Sequence, residues 1–156
     1  MAVYLRVRLR RVIVRETAVV RMAERVLAAA GEAASELSIE LVGDTRMRRL
    51  NRDYRGKDRS TDVLAFAMRE STSPDRTLLG DVVISVPTAR RQAGEAGRSV
   101  DEELAWLMVH GVLHLCGYDH ERSEPEARRM RRREQQILRR IGPIPRLVIG
   151  LSGKTE

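Results

Sequence analysis

The chain has 156 residues, 42% of them hydrophobic and 33% charged, which fits one globular domain with a real core and excludes a disordered chain. Its net charge of +7 is nearly all arginine, Lys57 and Lys154 being the only lysines, and this points to a polyanionic partner, nucleic acid before acidic membrane surface. Five aromatics (Tyr4, Tyr54, Phe66, Trp106, Tyr118) are too few for a surface that stacks successive bases, so contact with RNA is expected through phosphate and shape.

The first element, "VYLRVRL", alternates strictly: Val3, Leu5, Val7 and Leu9 share one face, and Tyr4, Arg6, Arg8 and Arg10 the other. That pattern predicts a half-buried strand with a basic outer face. The same charges interrupt every potential apolar core of "MAVYLRVRLRRVIV", so no signal peptide is expected. No run approaches the ~18–20 apolar residues of a membrane helix. With a single cysteine and no disulfide framework to build, a cytoplasmic protein is expected.

Residues 17–30 repeat at helical spacing through Val19, Met22, Val26 and Leu27, and Gly31 stops them. "LSIELVG" predicts a second strand, followed by a short helix over "DTRMRRLNRDY" with Asp44 as its cap and Met47 and Leu50 inward. "TDVLAFAM" and "LLGDVVISV" are a third and a fourth strand, joined by the polar loop "RESTSPDRT". A short helix follows at Pro87, which suits a first helical turn. Ser99 with Glu102 forms a capping box that opens a long apolar helix, "VDEELAWLMVHGVLHLC", and Ser123 with Glu126 repeats the device for a last helix ending near Ile141. The expected fold is α+β: a mixed sheet of about four strands packed with about five helices, over a single domain 1–142. Residues 143–156 are expected to be a tail, extended or disordered.

All 3 histidines lie in "HGVLHLCGYDH", residues 110–120. His110 and His114 are one helical turn apart, about 6 Å along the axis, so both imidazoles leave the same face. Gly117 can end the helix and turn the chain, bringing His120 back as a third nitrogen ligand. Three histidines with a fourth position open is the arrangement of a catalytic zinc site at the C-terminal end of the long helix, with one ion per chain. Cys116 stands off the ligand face and is expected as a small buried residue. Asp119 is either a ligand or, by preference, the acceptor that orients an imidazole. The spacing also matches the metzincin peptidases, but their general-base glutamate is replaced by Gly111.

This stretch resembles the signature H-G-x-L-H-L-x-G-Y-D-H of the YbeY family of bacterial endoribonucleases and ribosomal RNA maturation factors. "LNRDYRGKDRSTDVLAFAM" (50–68) and "LGDVVIS" (79–85) resemble two further family motifs, in the family's order. Ala65 departs from the family's usual Ser, and Ala67 with Met68 from its usual Pro; these touch strand-end geometry rather than chemistry. The resemblance implies zinc on His110, His114 and His120, and cleavage of single-stranded RNA. It also implies a part in maturing the 3′ end of small-subunit (16S) ribosomal RNA on the small subunit, and in ribosome quality control. Arg55 of "YRGKD" would be the catalytic basic residue, its guanidinium offering two N–H groups to a phosphate. Asp62 and Asp81 sit beside strands, and strand-end hydrogen bonding is the expected role of at least one of them. The arginines of "RRMRRREQQILRR" are read mainly as a solvated helix face. A zinc metallopeptidase and a non-catalytic ribosome-assembly factor are the alternatives.

Overall fold

The computed structural model describes residues 2–68 and 77–150, so the polar loop expected over 69–77 lies outside the described residues apart from Thr77. The elements run β1 (Ala2–Arg8), β2 (Ile13–Val14), α1 (Glu16–Ala29), β3 (Glu36–Val42), α2 (Asp44–Arg55), β4 (Val63–Ala67) and β5 (Leu78–Ser85). They continue with α3 (Val86–Ala96), α4 (Val100–Leu115), α5 (Glu124–Ile141) and β6 (Val148–Ile149). The main sheet has the order β1-β3-β5-β4. The pairs β1–β3 and β3–β5 are parallel and β5–β4 is antiparallel, giving the expected mixed α+β sheet with five helices.

The period-2 pattern of β1 survives folding: Val3, Leu5 and Val7 are half-buried, while Tyr4, Arg6 and Arg8 are exposed. The apolar face of the sheet, with Leu37, Ile39, Leu41, Val82 and Ile84, packs under α1 and α4, and α5 packs against those two helices. On the other face α2 covers one end, with Met47 against Val42, Leu64 and Val83. Helix α4 is apolar nearly all round and buries Leu104, Ala105, Leu107, Met108, Val109, Val112 and Leu113, as a central helix must. Its start is the full capping box expected at Ser99 and Glu102. Its buried carboxylate, Glu103, is paired with Arg98 at 2.6 Å.

Two local expectations fail. Gly43, not Asp44, caps α2, and Asp44 is the first helical residue. Its Oδ1 instead accepts hydrogen bonds from the hydroxyls of Ser85 (2.7 Å), Thr88 (2.8 Å) and Ser60 (2.9 Å), while Oδ2 pairs with Arg91 at 3.0 Å. A carboxylate with three hydroxyls and a guanidinium within reach gains more from them than from one backbone N–H, and its charge still favours the helix start. At α5 only half of the capping box forms: Ser123 Oγ accepts from the Glu126 N–H at 3.2 Å, but the Glu126 carboxylate turns to Arg129.

After α5 the described residues lead into β6. Val148 and Ile149 pair antiparallel with Val14 and Ile13, and Asp101 Oδ1 accepts from the N–H groups of Leu147 (2.7 Å) and Val148 (3.1 Å). Leu147 and Val148 are buried. The segment is thus latched to the first turn of α4.

Candidate metal centre

Helix α4 carries His110 and His114 on one face and ends at Cys116. The Gly117 N–H bonds to the His114 carbonyl and the Tyr118 N–H to the Leu113 carbonyl, each at 3.0 Å. This pair of bonds is a Schellman stop, and Gly117 adopts the positive φ of 103° that a side chain would resist. The turn is pinned from outside by Arg129 of α5, whose guanidinium lies 4.4 Å from the centre of the Tyr118 ring. The returning chain then brings His120 to the other two.

The three rings converge, with centroids 5.3 Å apart for His110 and His114, 5.0 Å for His110 and His120, and 5.4 Å for His114 and His120. One nitrogen from each lies within 4.8 Å of the others, a cluster that could hold a metal ion. The donor set fits zinc: three imidazole nitrogens, spaced for one ion, with His110 and His114 partly sheltered and His120 on the exposed side. The pKa of His114 is held below its ordinary value, first by burial, then by the neighbouring His110 and His120; Arg55 pushes the same way and Asp119 opposes. A neutral imidazole keeps the lone pair that a metal needs.

Glu134 of α5 was not singled out by sequence reasoning. Its Oε2 lies 2.6 Å from His110 Nδ1, and the two side chains are only 6% and 15% exposed. With Nδ1 engaged, Nε2 is the nitrogen left to a metal, the usual role of a carboxylate behind a ligating histidine. A signal existed: Met130, Glu134, Ile137 and Ile141 form the buried stripe of α5, and a carboxylate in that stripe needs a partner. Asp119 does not fill this role. Its carboxylate accepts the Glu121 N–H at 3.0 Å within the turn.

Gly111 explains why the helix cannot carry a peptidase base. A Cβ placed there would sit 2.8 Å and 3.1 Å from the two methyls of Val82 and 3.4 Å from Val63. The position faces the sheet at close approach, and any side chain there would have to push the Val82 methyls aside.

The histidines open onto a cleft of about 430 Å³. Arg55, Lys57 and Arg59, from the end of α2 and the loop after it, line one part of it, and Arg131 of α5 another. The loop is tied down by Asn51, whose buried amide donates to the Arg59 carbonyl at 2.9 Å, and by Arg48, paired with Asp58 at 2.8 Å. Asp62 also lines the cleft, but its Oδ1 accepts the Val63 N–H at 2.7 Å, a strand-end bond. Asp81 lies on β5 and lines a separate groove with Arg6, Tyr54 and Phe66. Cys116 is half-buried, its sulfur 3.9 Å from Glu32.

Three convergent imidazoles that could hold a metal ion, a carboxylate on one of them, four cationic side chains in the same cleft and a glycine where a peptidase needs glutamate define the class: a candidate histidine metal site in a cleft with basic lining. Residues 7–142 match the family described as Endoribonuclease YbeY. The Geobacter sulfurreducens protein named Endoribonuclease YbeY is 52% identical over 120 residues, covering 75% of this chain and 80% of that one. Its Aquifex aeolicus namesake is 44% identical over 135 residues, covering 86% and 89%. A solution structure of a Thermotoga maritima protein shares the fold at a TM-score of 0.62 and 22% identity, covering 89% of this chain and 88% of its own. The chain belongs to the YbeY endoribonuclease family.

Proposed function

We propose that this protein is a zinc-dependent endoribonuclease that cleaves single-stranded RNA, with the 3′ region of 16S ribosomal RNA on the small subunit as its substrate and ribosome quality control as its setting. The observation that carries the reading is the convergence of His110, His114 and His120 in a cleft that Arg55, Lys57, Arg59 and Arg131 also line. Relatives named as endoribonucleases over most of the chain support the reaction class.

His110, His114 and His120 would hold the ion, with Glu134 fixing the ring of His110. A bound zinc ion supplies Lewis acidity, polarising a phosphoryl oxygen and making water a better nucleophile near neutral pH. Arg55 sits at the C-terminal end of α2 in the same cleft and offers a planar pair of N–H donors to the non-bridging oxygens as negative charge builds on them. Lys57, Arg59 and Arg131 hold flanking phosphates, a contact that weakens with salt. The reaction belongs in the cytoplasm: among the described residues no helix is long and apolar enough to cross a membrane, and the single cysteine asks for no oxidising compartment.

The test is to incubate protein of known zinc content with single-stranded RNA and with casein, each with and without a chelator. RNA cleavage that the chelator abolishes, with casein intact, is the expected result. Chelator-sensitive casein cleavage would make it a peptidase. Zinc and RNA binding without cleavage would make it an assembly factor.

A further inference from the structure

Trp106 is the only tryptophan of the chain, and its place is specific. It lies on α4 one turn before His110 and two turns before His114, so the indole and both imidazoles form one stripe of the helix. It lines the same cleft as the histidines, half-buried, with its ring 5.4 Å from that of His110 and tilted 33° to it. Among the described residues the indole makes no hydrogen bond, and His110 is its one ring partner. A residue that only filled the core would be covered. Here the indole packs against the core on one side and keeps part of its surface in the cleft lining, together with Arg55, Lys57, Arg59 and Arg131.

We propose that Trp106 seats one unpaired base of the substrate next to the metal centre, by stacking. The proposal rests on the RNA-cleavage reading above and adds to it the group that selects single strands. Every base has a face that an indole can stack on, so the contact tolerates any sequence. A paired base is already stacked in its helix and would have to leave it to reach the indole. The cations around the cleft take the phosphates on either side of that nucleotide. The five scattered aromatics cannot make a stacking track, and this one position does not need one.

The single tryptophan makes the test direct. Stopped-flow mixing of zinc-loaded protein with a short single-stranded oligoribonucleotide should change the tryptophan fluorescence before cleavage begins. In single-turnover cleavage, an abasic riboside walked along the same oligonucleotide should raise the half-saturating concentration about tenfold at one position near the cut, the scale of one base–aromatic stack. In Trp106→Leu, checked for an unchanged zinc content, the intact oligonucleotide should already carry that loss and the abasic riboside should add nothing. Trp106→Phe should restore part of it. If RNA is cut with fluorescence unchanged and all abasic positions equivalent in the unaltered protein, Trp106 is a packing residue and this inference is wrong while the RNA reading stands. If zinc-loaded protein cuts no single-stranded RNA, the RNA reading fails and takes this one with it.

Discussion

Replacing Glu134 tests whether the buried carboxylate behind His110 belongs to the metal centre or only to the packing of α5. The contact is short, 2.6 Å, and nearly dry, with Glu134 6% exposed. A charge-assisted bond in that setting fixes both the tautomer and the rotation of the imidazole, and it raises the electron density on the opposite nitrogen. Glutamine can still accept from Nδ1–H, so Glu134→Gln keeps the orientation and loses the charge. Alanine loses both and opens a polar hole. Removing such a partner costs about 10–100-fold in metal affinity, or about 1.4–2.8 kcal/mol, and we expect Gln at the lower end and Ala at the upper. Stability of the zinc-free protein should separate the two variants: glutamine keeps the bond to His110 and should cost little, whereas alanine leaves a buried ring N–H without its partner, at about 1–3 kcal/mol. Competition for zinc against a chromophoric chelator at fixed pH gives the affinities, and urea denaturation of the zinc-free variants gives the stabilities. Unchanged zinc affinity in both variants would refute the reasoning and leave Glu134 a helix-packing residue.

Elemental analysis of His114→Ala, purified without a His tag, should find most of the metal gone, against about one ion per chain in the unaltered protein. Arg55→Ala should keep zinc and fold but slow single-turnover RNA cleavage on the order of a hundredfold, with Arg55→Lys recovering only part; cleavage at the original rate would make Arg55 an ordinary turn residue. Gly111→Ala gains about 1 kcal/mol of helix propensity but sets a methyl against the stiff Val82 side chain at 2.8 Å, an overpacking cost of about 1–3 kcal/mol, so its urea midpoint should fall. Asp44 has its pKa lowered below 3.8: burial alone would raise it, but the bonds from Ser85, Thr88, Ser60 and Arg91 together outweigh burial. Its contribution is therefore complete above its unfolded value and is lost as pH falls through the lower folded one. Asp44→Asn should flatten the acid limb of a stability–pH curve below about pH 4, and an unaltered limb would remove Asp44 from that role.

What could be read in the sequence was what local spacing encodes. The alternation of β1, the capping box at Ser99, the turn at Gly117 and the convergence of three histidines each depend on residues a few positions apart, where helix and strand geometry leave little choice. The pairing of β2 with β6 was not foreseen, because two-residue strands have no period to detect, and the Asp101 latch joins residues 46 and 47 positions apart. Asp44 was misread for the same reason. A cap is a local use of its carboxylate, and the competing hydroxyls of Ser85 and Thr88 come from 41 and 44 residues away. Glu134 could have been found, since its place in the apolar stripe of α5 marks it, but its partner could not be deduced from α5 alone.

His110 and Glu134 are only 24 residues apart, and the other two histidines lie between them. The whole grip is therefore one helical hairpin, α4 with α5, closed by the turn at Gly117. Closing so short a loop is entropically cheap, whereas bringing β1 beside β3 and β3 beside β5 requires parallel crossovers between distant segments. Arg55, at the end of α2, joins the cleft only through that slower assembly. The three side chains that could grip an ion are thus encoded in one contiguous stretch, whereas the cleft they open onto is completed by segments from across the chain.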